Sequence, residues 1–439
     1  MAAFMSGVYR LWQSVYPPTP EKDSDALNFG ILGAANIAPV AFVTPAKSHP
    51  KVIVHSIAAR DPSRAASFAK KHGIRHVAED YQAILDDPHI DAVYIPLPNG
   101  LHFEWALRAL AHGKHVLLEK PSTSNSLEAR LLFRSKTLHQ AGPADAPAPV
   151  LMEAFHNRFH PAWTCFLREL DRPRIAKARA EGYLPWFMLS PGDIRYDHAL
   201  AGGAMMDFGT YFVAALRDVF GEEPAAVEAC DVEACAEPRQ LCDHRFAARL
   251  AFPGGAIGEM QGSLSASLWE CLRMPFPSVT VTHRPVILRG GADATDPARE
   301  AEAEAGTVET EKIRTVTFTN MLFPSIYHCV TVRDDFTVRK KGTGEPVRTY
   351  TERYTKKAYD FRDLGIAQPG EDYWTSHRYM LEQFVNRVRG DADEPGRAGG
   401  AVGDIKVTSE DAVQQMRALD MLYTKCGLGS RPTSEFRLN

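Results

Sequence analysis

The sequence predicts an α/β domain built on a parallel sheet, followed by an α+β domain built on a large, open antiparallel sheet. Apolar runs alternate with helical patterns over residues 27–154, as in a parallel sheet covered by helices on both faces. After residue 155 the apolar runs succeed one another with few helical patterns between them, which is typical of an antiparallel sheet. The 439 residues, of which 45 % are hydrophobic and 24 % charged, suffice for two or three globular domains.

The chain divides into three parts. Residues 1–26 form an N-terminal extension, residues 27–150 the first domain, and residues 151–439 the second domain, whose C-terminal helices fall within 373–427. Apolar residues recur at helical spacing in the extension, which predicts a short amphipathic helix packed on the body or on a second subunit. A free tail is the alternative. The apolar residues are Val8, Leu11, Trp12 and Val15.

The predicted strands of the first domain lead into helices with recognisable start and stop signals. Asp61 and Asp80 are capping residues, Gly113 ends a helix, and Asn125 with Glu128 has the pattern of a capping box. The predicted strands are Leu27–Leu32, Val52–Ala59, Ala92–Ile95, His115–Leu118 and Val150–Ala154.

The second domain is predicted to contain several strands and two C-terminal helices. Its strands are Arg245–Phe252, Ala256–Leu264, Ser278–Leu288, Val308–Phe318 and His328–Val332. Its helices are Tyr373–Arg389 and a last helix that Ser409 opens and Gly427 closes. The acidic, alanine-rich segment Ala292–Gly306 is expected to be an exposed loop.

Composition argues against several classes of function. The formal net charge of −4 gives no reason to expect nucleic acid or an anionic membrane as a partner. No apolar run approaches the roughly 20 residues that a bilayer requires. Seven scattered cysteines predict a reduced, cytoplasmic protein rather than a disulfide scaffold. The cysteine and histidine cluster at 230–244 lacks the spacing of a zinc finger or ribbon, so no metal is expected.

The turn after the first predicted strand has the features of a Rossmann dinucleotide-binding site. A strand, a turn of small residues and a helix bring backbone N–H groups and a helix dipole to a pyrophosphate. Of the three glycines in the usual fingerprint only Gly33 is present, and Ala35 places a methyl group where the diphosphate approaches. We expect Gly33, Ala35, Asn36 and Ile37 to contact a dinucleotide. A plain turn between strand and helix is the alternative.

Two arginines after the second predicted strand favour NADP over NAD. An NAD site has an acidic residue at or near position 59, where this chain has Ala59. Arg60 supplies a cation for a 2′-phosphate, and Arg64 lies one helical turn further on. Asp61 is interpreted as the helix cap. The cofactor is therefore expected to be NADP, and NAD stays possible because Arg60 could be solvated.

Two loops at the carboxyl ends of later strands contain further candidate residues for the cofactor site. Pro96, Asn99 and His102 follow the strand that ends at Ile95 and would flank the nicotinamide half of the cofactor. An ordinary polar residue at a helix start is the alternative for His102. Lys120 follows the apolar strand 115–118, so its amine should point into the crevice where parallel sheets bind their ligands.

Three motifs carry a resemblance to a known family. Glu119-Lys120-Pro121 resembles the EKP signature of the Gfo/Idh/MocA (glucose-fructose oxidoreductase / inositol dehydrogenase) family of NAD(P)-dependent enzymes. Residues 202–211 resemble its motif GG-x-x-x-D-x-G-x-[HY]. Residues 153–161 resemble the segment E-A-x-x-x-R-[FY]-x-P of its dihydrodiol and xylose dehydrogenases. The resemblance extends over about residues 27–427.

The resemblance implies roles for the matching residues. Lys120 would contact the nicotinamide ribose and the substrate hydroxyl, and we expect its bond to Pro121 to be cis. Tyr211 would exchange a proton with the substrate, because hydride transfer from a carbinol leaves a proton to be removed. Lys120 should also lower the pKa of this phenol. Asp207 would hold a substrate hydroxyl or orient Tyr211, with helix capping as the alternative.

Three further residues are candidates for the substrate pocket. Arg158 and His160 could line it, or could form an interdomain salt bridge or hydrogen bond. Trp186 could stack on a sugar face, or could fill the core.

The resemblance implies an NADP-dependent oxidoreductase that acts on a cyclic polyol or aldose, with oxidation of an aldose at C1 to a lactone as the first expectation. A trans-dihydrodiol or a dicarbonyl is the second. A non-catalytic dinucleotide-sensing regulator is the alternative from another class, since it would need the Gly33 turn without Lys120 or Tyr211. One face of the antiparallel sheet is expected to be an exposed apolar surface unless a second subunit covers it, which predicts a homodimer or larger assembly.

Overall fold

A computed structural model describes residues 2–135, 138, 148–288, 308–390 and 407–438. Two sheets organise the chain. The first sheet has six parallel strands in the order β3-β2-β1-β4-β5-β6, which is the order of a doubly wound dinucleotide-binding domain. Its strands are β1 (Leu27–Leu32), β2 (Val52–Ala58), β3 (His76–Val77), β4 (Ala92–Ile95), β5 (His115–Leu118) and β6 (Leu151–Glu153).

Helices connect these strands, and three of them begin at the capping residues that the sequence predicted. The side chains of Asp61, Asp80 and Asn125 each accept a hydrogen bond from the backbone of the helix that follows. After a first helix in the extension, α1 (Ala2–Val15), the helices of this domain are α2 (Thr44–Lys47), α3 (Pro62–His72), α4 (Tyr81–Asp86), α5 (Asn99–Ala111) and α6 (Ser126–Phe133).

The second sheet has nine strands and is mixed rather than purely antiparallel. Its order is β15-β14-β13-β11-β7-β10-β9-β8, with β12 paired to β13, and β7 runs parallel to β10. The strands are β7 (Ile175–Pro185), β8 (Ala226–Ala234), β9 (Asp243–Phe252), β10 (Ala256–Ala266), β11 (Ser278–His283), β12 (Val286–Leu288), β13 (Val308–Thr319), β14 (Cys329–Lys340) and β15 (Pro346–Lys356). The helices are α7 (Pro161–Arg168), α8 (Thr210–Phe220), α9 (Leu268–Arg273), α10 (Ser376–Val388) and α11 (Ser409–Lys425).

Several predictions about this sheet need correction. Strands β7, β8 and β15 were not predicted, and the predicted strand 278–288 is two strands separated by Arg284 and Pro285. Proline lacks the N–H that a sheet ladder needs, which accounts for the break. The predicted acidic loop 292–306 lies outside the described residues.

One face of the second sheet packs on α8, and the other face is polar. A Cβ on Gly182 of β7 or Gly258 of β10 would touch Phe212 or Leu216 of α8, so the even-numbered residues of both strands face this buried helix. The alternate residues of β7–β10 form ion pairs, across strands for Lys177 with Glu259 and Arg249 with Glu228, and along β7 for Arg179 with Glu181. The expectation of an exposed apolar face is therefore wrong where these strands lie, and the homodimer stays a prediction.

A C-terminal helix ties the two parts of the fold together. Phe384 of α10 packs on Phe29 of β1 with ring centroids 5.7 Å apart, and Phe42 packs on Phe29 at 4.9 Å. All three side chains are fully buried, and burying an aromatic ring of this size contributes roughly 2–3 kcal/mol. Helix α10 is therefore held against the first sheet while its first turn reaches the site described below.

The N-terminal extension is a helix that contacts the body of the protein. Arg10 of α1 lies over the ring of Tyr359, with its guanidinium carbon 3.3 Å from the ring centroid. This contact agrees with the predicted packing and not with a free tail. Large apolar side chains of the extension, including Trp12 and Tyr16, stay more than half exposed.

One stretch of the described chain, His198–Phe220, is long and apolar enough to cross a membrane by length and composition alone. The expectation that no stretch approaches this length is therefore wrong by that measure. Of its most apolar window, 78 % is buried inside the protein, so its apolar character matches its place in the core.

Candidate active site

Strand β5 ends at a buried turn that carries Lys120. The peptide bond between Lys120 and Pro121 is cis, as predicted. Glu119 accepts a hydrogen bond from the Tyr94 hydroxyl at 2.7 Å and another from the Lys120 backbone N–H at 3.2 Å. Glu153 accepts from the Ser122 backbone N–H at 2.7 Å. Both carboxyl groups therefore hold the backbone of this turn.

His102 supports the same turn from inside the core. Its ring is fully buried, with Nδ1 2.9 Å from the carbonyl oxygen of Pro121 and Nε2 2.8 Å from that of Leu97. Burial lowers the pKa of His102 to about 4. The residue therefore joins the loops after β4 and β5 and does not sit at an exposed helix start.

The motif at residues 202–211 consists of a glycine pair followed by a π-helical turn. Gly203 has φ +136°, a conformation that side chains rarely adopt, and its N–H donates to the carbonyl of Arg195 at 2.8 Å. The segment Met205–Gly209 is π-helical and leads directly into α8. Such turns are frequent at functional sites, and this one presents Asp207 and Tyr211 toward Lys120.

Asp207 lies between two cations. Its Oδ1 is 2.9 Å from Nζ of Lys120, and its Oδ2 is 2.8 Å from Nε of Arg195. Burial disfavours the carboxylate, but Lys120 and Arg195 outweigh it and hold the pKa of Asp207 well below its usual range. Asp207 is thus an ionised anchor for the Lys120 amine, a role different from the helix capping that was the alternative. Asp193 holds Arg195 in turn, at 3.1 Å.

Tyr211 lies directly beneath Lys120. The ammonium nitrogen is 4.5 Å from the centre of the phenol ring, and the hydroxyl oxygen is 3.0 Å from Nε2 of His156. Burial, together with the negative charges of Glu119 and Asp207, raises the pKa of Tyr211 well above its ordinary value. The expectation that Lys120 lowers this pKa is therefore wrong, because the ammonium faces the ring and is paired with Asp207.

Arg158 and His160 do not face the crevice. Arg158 is 4 % exposed and binds Asp218 through Nε and Nη2, at 2.9 and 2.6 Å, and Asp411 through Nη1, at 2.6 Å. His160 is fully buried and caps α7 by accepting the N–H of Ala162. Their prediction as pocket residues is corrected: Arg158 forms buried ion pairs within the second domain, not between the domains, and His160 is a helix cap.

Trp186 is exposed, which contradicts the core-filling alternative. The side chain is 63 % exposed and contacts Phe187 edge to face, with centroids 5.8 Å apart. Its backbone N–H donates to Ala266, so it lies just beyond the ends of β7 and β10. The N-terminal end of α8 lies toward this end of the sheet, since Phe212 reaches Gly182 while Leu216 reaches Gly258.

The turn after β1 has the geometry of a phosphate cradle. Gly33 has φ +113°, and a Cβ there would lie 3.0 Å from Leu97. Arg64 donates to the carbonyl oxygen of Ala34 at 3.2 Å and so braces the turn from the side of α3. Asn36 and Ile37 are exposed and Ala35 is half-buried, which leaves the backbone open to a ligand. These residues fit the diphosphate of a dinucleotide.

The remaining cofactor candidates border the same crevice. Arg60 is exposed at the end of β2 and makes no ion pair within the described residues, so its guanidinium is available to a phosphate. Pro96 is buried beside Gly33. Asn99 donates from Nδ2 to the carbonyl of Ala201 at 3.0 Å and therefore links α5 to the loop before Gly202.

Two residues of the site were not foreseen. Arg195 stands only seven positions before the glycine pair, but no periodic pattern marks it; the Asp193 turn that holds its N–H was the one available signal. His156 lies inside the quoted segment 153–161, yet its contact with Tyr211 follows from the packing of distant segments.

The fold and the site together define the class of protein. A doubly wound sheet with a phosphate cradle, and a lysine, a carboxylate and a tyrosine gathered at the carboxyl end of β5, are the parts of a dinucleotide-dependent oxidoreductase. Two family models match the chain: "Oxidoreductase family, NAD-binding Rossmann fold" over residues 27–139, and "GFO/IDH/MocA C-terminal domain" over residues 168–276. The chain belongs to the GFO/IDH/MocA family of oxidoreductases and is an enzyme.

Individual relatives agree with this assignment. An uncharacterized oxidoreductase of Rhizobium meliloti is 33 % identical over 304 residues, which cover 66 % of this chain and 88 % of the relative. The D-xylose 1-dehydrogenase (NADP(+)) 2 of Haloferax volcanii is 36 % identical over 287 residues, which cover 64 % and 82 %. The crystal structure of KijD10, a 3-ketoreductase from Actinomadura kijaniata in complex with NADP and TDP-benzene, has a TM-score of 0.62 at 22 % identity, covering 91 % of this chain and 98 % of that one. This last likeness shows the shared fold.

Proposed function

We propose that the protein is an NADP-dependent sugar dehydrogenase that oxidises an aldose at C1 to the lactone. The observation that carries the proposal is the cluster at the end of β5, where Lys120 is bonded to Asp207 and covers the ring of Tyr211. The 36 % identity to an NADP-dependent xylose dehydrogenase supports this choice of cofactor and substrate.

Each residue of the cluster has a distinct task in the proposed reaction. When bound, NADP supplies the carbon that accepts the hydride. Lys120, with its amine fixed by Asp207, stabilises the negative charge that develops on the substrate oxygen. Tyr211 exchanges the proton of the same oxygen, and general acid–base help of this kind contributes roughly 10²–10⁴-fold in rate. Gly33 and its turn would hold the diphosphate, and Arg60 the 2′-phosphate.

The low pKa of Asp207 supports these separate roles of Lys120 and Tyr211. An ionised carboxylate between Lys120 and Arg195 holds the lysine amine in place, while the high pKa of Tyr211 keeps the phenol protonated until it reacts. A proton donor and a fixed cation on the same side of one oxygen serve both oxidation of a carbinol and reduction of a carbonyl.

Mixing the protein with NADP and a panel of aldoses, polyols, trans-dihydrodiols and dicarbonyls tests the proposal. Reduced nicotinamide should appear, as followed by its absorbance, with at least one aldose, and a parallel series with NAD should be slower. Turnover confined to dihydrodiols or dicarbonyls would replace the sugar assignment with the second expectation. Cofactor binding without turnover on any of these compounds would contradict the proposal. A homodimer, tested by light scattering, stays a prediction.

A further inference from the structure

A chain of hydrogen bonds leads from Tyr211 away from Lys120 and into the second domain. Oη of Tyr211 lies 3.0 Å from Nε2 of His156, and Nδ1 of the same ring lies 2.7 Å from Oγ of Ser376 in the first turn of α10. His156 is only 4 % exposed, and His377 stacks on it with centroids 3.9 Å apart. The imidazole is thus held on both nitrogen edges and on one face.

The surroundings of His156 keep it neutral. Its pKa lies well below the ordinary value because the ring is buried, and because His377 and Lys120 disfavour a further positive charge. A neutral imidazole has one donor nitrogen and one acceptor nitrogen. With Nδ1–H donating to Ser376, Nε2 accepts the phenol proton, and the lone pairs of Oη stay available to a substrate hydroxyl.

The charges around Tyr211 explain why such an acceptor is needed. A free phenolate would add a negative charge close to Glu119 and Asp207, both of which already raise the pKa of the phenol. The ammonium of Lys120 lies over the ring and is paired with Asp207, so it offsets this cost only in part. A base behind the phenol removes the cost, because the oxygen never carries a full charge.

We propose that His156 accepts the phenol proton of Tyr211 when the substrate is oxidised, a role that rests on the proposed function. As the substrate carbon gives up its hydride to the cofactor, the substrate O–H proton moves to Oη of Tyr211. The original phenol proton moves to Nε2 of His156. One O–H bond breaks and another forms on Tyr211, and one N–H bond forms on His156. The imidazolium is short-lived, because burial, His377 and Lys120 disfavour its charge. Reduction returns the two protons by the same path.

The hydrogen-bond arrangement can be tested without cofactor or substrate. In a protein labelled with ¹⁵N-histidine, NMR should show His156 as a neutral ring protonated at Nδ1, with Nε2 accepting a hydrogen bond. The His156→Phe spectrum identifies the resonance, and Tyr211→Phe should shift Nε2 toward a free nitrogen. An Nε2-protonated ring, or no response to Tyr211→Phe, would overturn the role of His156 whatever the substrate proves to be.

Kinetics separate a proton acceptor from a structural ring. His156→Phe keeps a flat ring against His377, and its kcat should fall about 10²-fold and then rise with pH as solvent base takes over, unlike the wild type. His377→Phe, which keeps the stacked ring and has no bond to Tyr211, should lower kcat far less and show no such rise with pH. A wild-type rate and profile in His156→Phe would contradict the proposal.

Should the wild type turn over no sugar, the proposed function fails, while the NMR result still decides whether His156 receives the phenol proton. If His156→Phe does not fold, the response to Tyr211→Phe decides it.

Discussion

The ammonium nitrogen of Lys120 lies 4.5 Å from the centre of the Tyr211 ring. Lys120 comes from the end of the parallel sheet and Tyr211 from the first turn of a helix that packs on the second sheet. Their meeting therefore depends on the docking of the two sheets, which α10 reinforces through Phe384 and Phe29. A cation and a phenol at this junction are the groups that a hydride-transferring enzyme needs on one side of the reacting oxygen.

The first prediction concerns the anchor of the lysine. Asp207→Asn removes the charge that fixes the Lys120 amine, whereas Arg195 keeps its pairing with Asp193, so kcat should fall about 10²-fold while the Kd for NADP changes little. The matched control is Asp193→Asn, which also touches Arg195 but does not reach Lys120. Steady-state kinetics should show a far smaller loss in the control. Equal losses would refute a special role for Asp207.

The second prediction concerns cofactor choice. Arg60→Ala should weaken NADP binding by about 10- to 10²-fold and leave NAD binding unchanged, because only NADP has a phosphate for the guanidinium. Arg64→Ala should weaken both cofactors alike, because Arg64 braces the turn through the carbonyl of Ala34. Calorimetric titration with each cofactor measures the difference. If Arg60→Ala affects NADP and NAD equally, Arg60 does not read the 2′-phosphate.

The third prediction concerns the phosphate cradle. Gly33→Ala combines a φ of +113° with a Cβ 3.0 Å from Leu97, so it should cost about 1–3 kcal/mol of stability and abolish tight cofactor binding. Gly73→Ala is the control, since Gly73 has φ +74° but an added Cβ would meet nothing within 4 Å. It should cost about 1–2 kcal/mol and leave cofactor affinity intact. Thermal unfolding and dinucleotide titration give both quantities. Tight cofactor binding by the Gly33 variant would show that the cradle lies elsewhere.

The fourth prediction concerns pH and stability. Burial raises the pKa of Glu153 to about 8, and the charge of Asp411 adds to the effect. Since the unfolded carboxyl ionises near 4.5, the free energy of unfolding should fall as pH rises from about 4.5 to 8, by up to about 1.4 kcal/mol per pH unit. Glu153→Gln has no such charge, so urea denaturation should show it gaining stability relative to the wild type over that interval. A constant difference from pH 5 to 8 would mean that Glu153 ionises normally.

Much of the fold could be predicted because its signals are local. Capping residues such as Asp61 and Asn125 mark helix starts in the sequence, and the strands of a parallel sheet are continuous apolar runs. Strands β7 and β15 escaped prediction for the opposite reason. Small or charged side chains alternate along β7, and β15 is exposed along nearly its whole length, so neither has an apolar run. Backbone pairing with neighbouring strands holds both, and β7 adds the ion pair of Lys177 with Glu259. Contacts between distant segments of this kind cannot be predicted from one segment alone.

The candidate site was predictable where short motifs fix a residue and its neighbours. The motifs containing Lys120, Asp207 and Tyr211 led to three side chains that the structure brings together. Arg195 and His156 contact this group only because distant segments pack there. Arg158 shows the converse, since the sequence could not tell a pocket residue from the centre of a buried ion-pair network.

The most direct test of the account is the rate of NADP reduction by sugar in the Lys120→Met, Tyr211→Phe double variant, compared with the wild type at saturating cofactor and substrate. Both replacements are similar in size to the residues they replace and remove only the amine and the hydroxyl. Because neither the amine nor the hydroxyl remains, kcat should fall at least about 10²-fold, with the unfolding temperature and cofactor binding little changed. Undiminished turnover by the folded double variant would contradict the account.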